Sequence, residues 1–282
     1  MKRSVKTIKV ESWDQFKDLA TSDDYRSWAF RGQSNADWPL EPTLARYLKR
    51  YKIHRSVWSN QELRIYGIFK RKAHEFLKHL PADDDAFEWL ATMQHHGAPT
   101  RLLDFTWSPY VAAFFAFERA ITTAAIWAVF PPLLRYMQHF PDNLNVEENV
   151  HDHVGPWKPG NYEKFFVQNE FEFVTQGEPY RMNRRQVAQS GTFVIPSRID
   201  KSVEEILMDN GPIDHSLVKF VMNTEKMRHE SIRQLYNMNI TNATLFPDLD
   251  GLARSMAMEF ELHWAYDPIT GEKFNDFYNK LD

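Results

Sequence analysis

The chain has 282 residues, of which 43% are hydrophobic and 15% aromatic, enough to bury a core in one large domain or two small ones. It has no cysteine, which excludes disulfides, thiolate nucleophiles and Cys-based zinc sites and fits a reducing cytoplasm. The net charge of −4 does not by itself point to nucleic acid, and no apolar stretch follows the basic start Met1–Lys6, so no signal peptide is expected.

In chain order, residues 5–10 alternate and predict a strand, and Ser12 caps a short helix carrying Trp13, Phe16 and Leu19. Trp28 to Arg31 reads as a second strand that ends at the arginine, followed by a turn-rich stretch over 33–43. Leu63, Tyr66, Phe69, Ala73, Phe76 and Leu77 fall near helical spacing and predict a helix over 60–79. Pro81 and Asp83-Asp84-Asp85 end it and start a further helix with Phe87, Leu90, Ala91 and Met93. Ser108-Pro109 is an N-cap and first-turn pair opening a helix over about 109–121. Thr122 to Phe130 predicts a buried strand ended by Pro131-Pro132. Glu118 and Arg119 interrupt the apolar run 110–134, which makes it a buried helix and strand and not a membrane span.

Residues 139–163 are rich in Asn, Asp, Pro, His and Gly and read as a loop insertion, a lid or a flexible loop. Strands are expected over 170–175, 192–195 and 217–222, and helices over about 225–238 and 248–266. With no repeat, linker or boundary, the expectation is one α+β domain spanning 1–282, its core at about 10–266, with a mixed or antiparallel sheet flanked by several helices. Residues 44–79 hold ten Lys or Arg against Glu62 and Glu75, a local charge of about +8 on an otherwise acidic chain. Such a block is either a solvated helix face or a surface for phosphate or nucleic acid.

Three segments gather groups that can do chemistry. In Phe30-Arg31-Gly32-Gln33 a guanidinium suited to phosphate or carboxylate stands beside a glycine that lets a ligand approach the backbone. Otherwise Arg31 pairs with Asp104 or Glu41 to order a loop. The second segment runs from Gln94 to Ser108. His95 and His96 precede Gly97 at a helix C-terminus, where an imidazolium is stabilised, or they pack and cap. Thr100-Arg101-Leu102-Leu103-Asp104 offers an Arg101–Asp104 pair, with Asp104 alternatively a base or a ribose acceptor. Ser108 caps the next helix, leaving Thr106 freer to face a ligand. The third segment, Arg184 to Phe193, puts Gln189 just before Gly191 at a strand start, where a side chain can line a cleft; the plain alternative is a turn. The histidines lack the spaced partners that a metal site needs, so no metal is expected.

Together these segments resemble the FRG domain family, named for a Phe-Arg-Gly motif. The matches are Phe30-Arg31-Gly32, then Gln94-His95-His96-Gly97 and Pro99 to Thr106, then Arg185, Gln189, Gly191 and Phe193, with Ser108-Pro109 and the helix it opens. The resemblance spans roughly residues 10–255, and Ser190 stands where the family often has a second Gln. The arrangement is also similar, more distantly, to ADP-ribosyltransferases. That likeness implies NAD as ligand, Arg31 on the pyrophosphate with Gly32, Gln33, Thr100 and Arg101 as further binding residues, and Thr106 lining the nicotinamide pocket. Gln189 would hold the third-strand position, where a carboxylate is usual, and His95 and Asp104 would give polar support. It also makes a setting in phage defence or as a toxin an expectation.

Three functional readings follow. The first is an ADP-ribosyltransferase-like enzyme, for which Arg31, Thr106 and Gln189 should converge on one pocket. The second is a nuclease or nucleic-acid binder, for which the basic block 44–79 should flank His95 and Asp104. The third is a non-catalytic nucleotide-binding module.

Overall fold

The computed structural model describes residues 4–136, 153–211, 213–262, 266–267 and 269–273. Seven strands form one sheet: β1 (Lys6–Val10), β2 (Ala29–Gln33), β3 (Leu103–Thr106), β4 (Thr123–Val129), β5 (Val174–Gly177), β6 (Gly191–Pro196) and β7 (Leu217–Asn223). Their spatial order is β1-β7-β4-β2-β3-β6-β5. Only β1 and β7 run parallel; each of the other neighbouring pairs is antiparallel. The α+β expectation with a mixed sheet is met.

β4 lies inside the sheet, and Ala124 to Val129 are buried on both faces, hence the unbroken apolar run. On one face Phe30, Ile126 and Phe220 pack with Phe16, Phe114 and Phe117. On the other, Phe105 and Trp127 pack with Leu40, Ile206 and Leu207. A third cluster, farther along the sheet, joins Phe193 and Ile195 to Phe87, Leu90, Tyr162 and Phe166.

The helices are α1 (Trp13–Ala20), α2 (Thr43–Arg50), α3 (Trp58–Ala73), α4 (Ala86–His95), α5 (Pro109–Phe117), α6 (Pro131–Tyr136), α7 (Arg184–Ala188), α8 (Val203–Asn210), α9 (Ile213–Ser216), α10 (Thr224–Asn237), α11 (Asn242–Leu245) and α12 (Leu249–Glu261). Ser108 caps α5 by accepting from the Val111 amide at 3.3 Å, with Pro109 in the first turn, where a missing N–H costs nothing. α5 is apolar all round because Val111 to Phe114, Ala116 and Phe117 are all buried.

Several boundaries differ from expectation. β2 continues through Gly32 and Gln33, so Arg31 sits inside a strand and not at its end. α3 stops at Ala73; the apolar spacing continues, but Phe76 is 83% exposed and the chain leaves the helix. Pro131-Pro132 opens α6, where proline suits a first turn. β5 begins at Val174 rather than Glu170. α2, α7 and α8 stand where no helix is expected, each only five to eight residues long. Of the insertion 139–163, residues 139–152 lie outside the described residues; of the remainder, Val154 and Tyr162 are fully buried in the third cluster, whereas Lys158, Pro159 and Gly160 are exposed. Among the described residues no helix is long and apolar enough to cross a membrane.

Candidate functional site

β2 and β3 share a single bridging pair, Phe30 with Thr106. An antiparallel ladder continuing from it would set Arg31 opposite Phe105 and Gly32 opposite Asp104, but those pairs are absent. The strands part there, and the Arg31 side chain enters the split, donating from Nη1 to the Asp104 carbonyl at 2.6 Å. A cleft of about 310 Å³ opens at this point.

Five arginines line the cleft: Arg31, Arg46, Arg119, Arg185 and Arg254. None of them forms an ion pair with a described residue. Arg46, Arg119 and Arg254 are exposed, whereas Arg31 and Arg185 are half-buried. Burial lowers the Arg31 guanidinium from its ordinary value; Arg46 adds to this, and Asp104 opposes it. Burial likewise lowers Arg185, with Arg254 adding and Asp104 and Asp248 opposing. The two acids of the cleft are occupied: Asp104 accepts from Gln94 Nε2 at 2.8 Å, and Glu118 accepts from Asn242 Nδ2 at 3.0 Å. The arrangement leaves positive charge uncompensated in a partly desolvated space, which an anion would relieve.

The far wall is built late in the chain. Arg185 and Arg254 both lie over the Phe246 ring, at 4.4 and 5.1 Å from its centroid. Arg185 comes from α7, whose Asn183–Gln186 capping box fixes its first turn. Trp38 lines the mouth with 46% of its surface exposed, a flat apolar face beside the cations.

Arg31, Gly32, Gln33, Asp104, Thr106 and Gln189 all border this cleft. Their polar groups are not all free. Thr106 is buried; its hydroxyl donates to the Gln189 carbonyl at 2.6 Å and accepts from the Ser108 amide, so the freedom expected of it is absent. The Gln189 amide donates to the Leu245 carbonyl at 3.0 Å. Gln33 donates to the Pro39 carbonyl and accepts from Trp127 Nε1 at 2.7 Å. A Cβ on Gly32 would collide with the Ala112 carbonyl of α5, so this glycine admits a helix where a ligand was expected.

Thr100 and Arg101 lie away from the cleft. Thr100 is buried and bonds Gln94. Arg101 is fully buried and forms a bidentate pair with Glu62, with Nε to Oε1 at 2.7 Å, and it donates to the carbonyls of Phe166, Pro196 and Ser197. The expected Arg101–Asp104 pair is therefore replaced by Arg101–Glu62, because Asp104 points out of the core while Glu62 is buried beside Arg101. Glu41 pairs with Lys49 and not with Arg31.

His95 borders a smaller void with Asp104, Arg185 and Gln189, and its Nδ1 is buried without a hydrogen-bond partner among the described residues. Burial, then His96 and Arg185, lower its pKa from 6.5, with Asp248 opposing. The expected imidazolium is thus disfavoured: desolvation and cationic neighbours outweigh the helix C-terminus. From the basic block only Arg46 reaches the cleft. Sequence reasoning passed over Arg254, Phe246 and Trp38 as ligand-facing groups, since none stands in a motif.

Residues 26–125 match the family model of the FRG domain, so the chain carries an FRG domain there. No curated protein and no solved structure matches the chain. The matched stretch supplies one wall of the cleft, from Phe30 to Arg119, whereas Arg185, Gln189, Phe246 and Arg254 follow it.

Proposed function

We propose that the cleft of this FRG-domain chain binds a phosphate-bearing nucleotide, NAD foremost, and that the chain acts on it as an ADP-ribosyltransferase-like enzyme. The observation that carries the reading is the set of five arginines, Arg31 among them, without ion-pair partners among the described residues, around one cleft that also contains Thr106 and Gln189. Guanidinium forks match phosphate oxygens bidentately. Arg31 and Arg185, partly desolvated, would hold the pyrophosphate, and Arg46, Arg119 and Arg254 would draw the anion in. The volume of about 310 Å³ is at the small end for ligand sites, so part of a dinucleotide would lie over the mouth against Trp38.

Cleavage of the nicotinamide–ribose bond develops positive charge on the ribose. Asp104, whose side chain lines the cleft and whose backbone carbonyl accepts from Arg31, would stabilise that charge, and the Gln189–Thr106 contact would shape the wall beside it. The nucleic-acid reading retains one supporting observation, Arg46 of the basic block at the mouth.

The test is thermal-shift titration with NAD, ADP-ribose and a short RNA, on wild type, Arg31→Ala and Arg185→Ala, followed by assay of nicotinamide release. Ligand that binds only the folded state raises the midpoint by mass action. A rise with NAD or ADP-ribose that disappears in both variants supports the reading. A rise with RNA alone moves the assignment to nucleic acid, and no rise with any of the three overturns ligand binding at the cleft.

A further inference from the structure

A second cavity, of about 520 Å³, lies between α3 and the end of α4. Nine of its lining side chains are apolar, among them Ile65, Ile68, Phe69, Met93 and Phe76. Lys72 and His96 are the two polar ones, and no acid lines it. Lys72 forms no ion pair with a described residue, although its neighbours are engaged: Lys70 pairs with Asp83, and Glu75 with His74. A concavity of this size, apolar with two polar side chains in its lining, has the composition of a small-molecule site. It shares no lining residue with the arginine cleft.

We propose that this cavity binds a small amphipathic anion, an alkyl chain carrying one carboxylate, with the chain among Ile65, Ile68, Phe69 and Met93 and the head group at Lys72 and His96. Charge selects the occupant. An anionic head group would gain a charge-assisted contact with the exposed Lys72 ammonium that a neutral lipid would forgo, and a cationic amphipath would be repelled. A dinucleotide fits poorly, because its several charges would be buried against nine apolar side chains. The inference does not rest on the nucleotide reading.

The test is titration calorimetry of the full chain with monomeric octanoate, decanoate and dodecanoate, and with dodecyltrimethylammonium as the charge control. Saturable one-to-one binding is expected, tightening about fourfold per methylene buried. Lys72→Glu, at an exposed position, is expected to fold normally and weaken the alkanoates several-fold. Ile68→Trp, which fills the cavity, is expected to abolish binding, and Arg31→Ala is expected to leave it unchanged. Absence of saturable binding overturns the proposal. So does equal affinity for the cationic amphipath, or alkanoate binding that survives both Lys72→Glu and Ile68→Trp. Binding only to anionic vesicles, or dimerisation without ligand that buries this face, would assign the cavity to a membrane surface or a second copy instead.

Discussion

Arg31 holds a cation half-buried, with Nη1 donating to the Asp104 carbonyl and Nε without a hydrogen-bond partner among the described residues. Arg31→Ala is therefore expected to cost on the order of 1 kcal/mol of stability, one hydrogen bond, while removing the response to ADP-ribose. Unfolding of the variant at ordinary temperature would make Arg31 a structural residue instead. His95 gives a pH signature. Its folded pKa is lowered from 6.5, so the folded state takes up a proton less readily than the unfolded one. Its contribution to stability is then present above about pH 6.5 and is lost as pH falls through the folded value. In His95→Gln the decline of the denaturation midpoint below that pH should be shallower than in wild type; parallel curves would refute the assignment.

Among the elements, the contact of β2 with α5 explains the motif glycine. The backbone of α5 lies so close to Gly32 that any Cβ there meets the Ala112 carbonyl and the Ala116 amide. Gly32→Ala should destabilise by about 1–3 kcal/mol or more, since strand or helix must shift, and chemical denaturation would show it. The variant should also distort the cleft, because Arg31 and Gly32 border it together. The elements were legible where the apolar period was long: β4, α5, β7 and α10 begin and end within two residues of expectation, apart from a late end expected for α5. They were illegible where helices were short. α7 is five residues held by a capping box, too few to set up a period.

Across the whole molecule, Arg101 ties α3 to the far end of the sheet. It is fully buried against Glu62 and reaches carbonyls on β6, just beyond it, and at Phe166. Burial alone would lower its pKa, but Glu62 carries it above the ordinary value. Arg101→Leu should cost about 3–5 kcal/mol by leaving Glu62 charged and unpaired, and Arg101→Met with Glu62→Leu should recover much of that. Equal losses in the single and double variants would show that the pair's hydrogen bonds to the carbonyls dominate. The arginine cleft, by contrast, acts through its field. Five cations face two acids, so ADP-ribose affinity should fall steeply with added salt as the screening length drops from about 8 Å at physiological ionic strength toward about 3 Å at 1 M. Affinity indifferent to salt would argue against charge-driven capture.

The sequence by itself determined the α+β class, the strands at β4 and β7, the capped helix α5 and the FRG motif residues, because periodicity, caps and local motifs are short-range properties of the chain. It also marked Arg31, Asp104, Thr106 and Gln189, which the fold brings to one cleft. Only the tertiary structure decided which arginine is a ligand candidate and which a core tie. Arg31 and Arg101 look alike in sequence, but one enters a split between strands and the other meets a carboxylate 39 residues away. The cleft's positive wall was equally hidden, since Arg185 and Arg254 meet over Phe246 through contacts between separate elements. Burial and charge balance depend on such distant neighbours, and no local pattern encodes them.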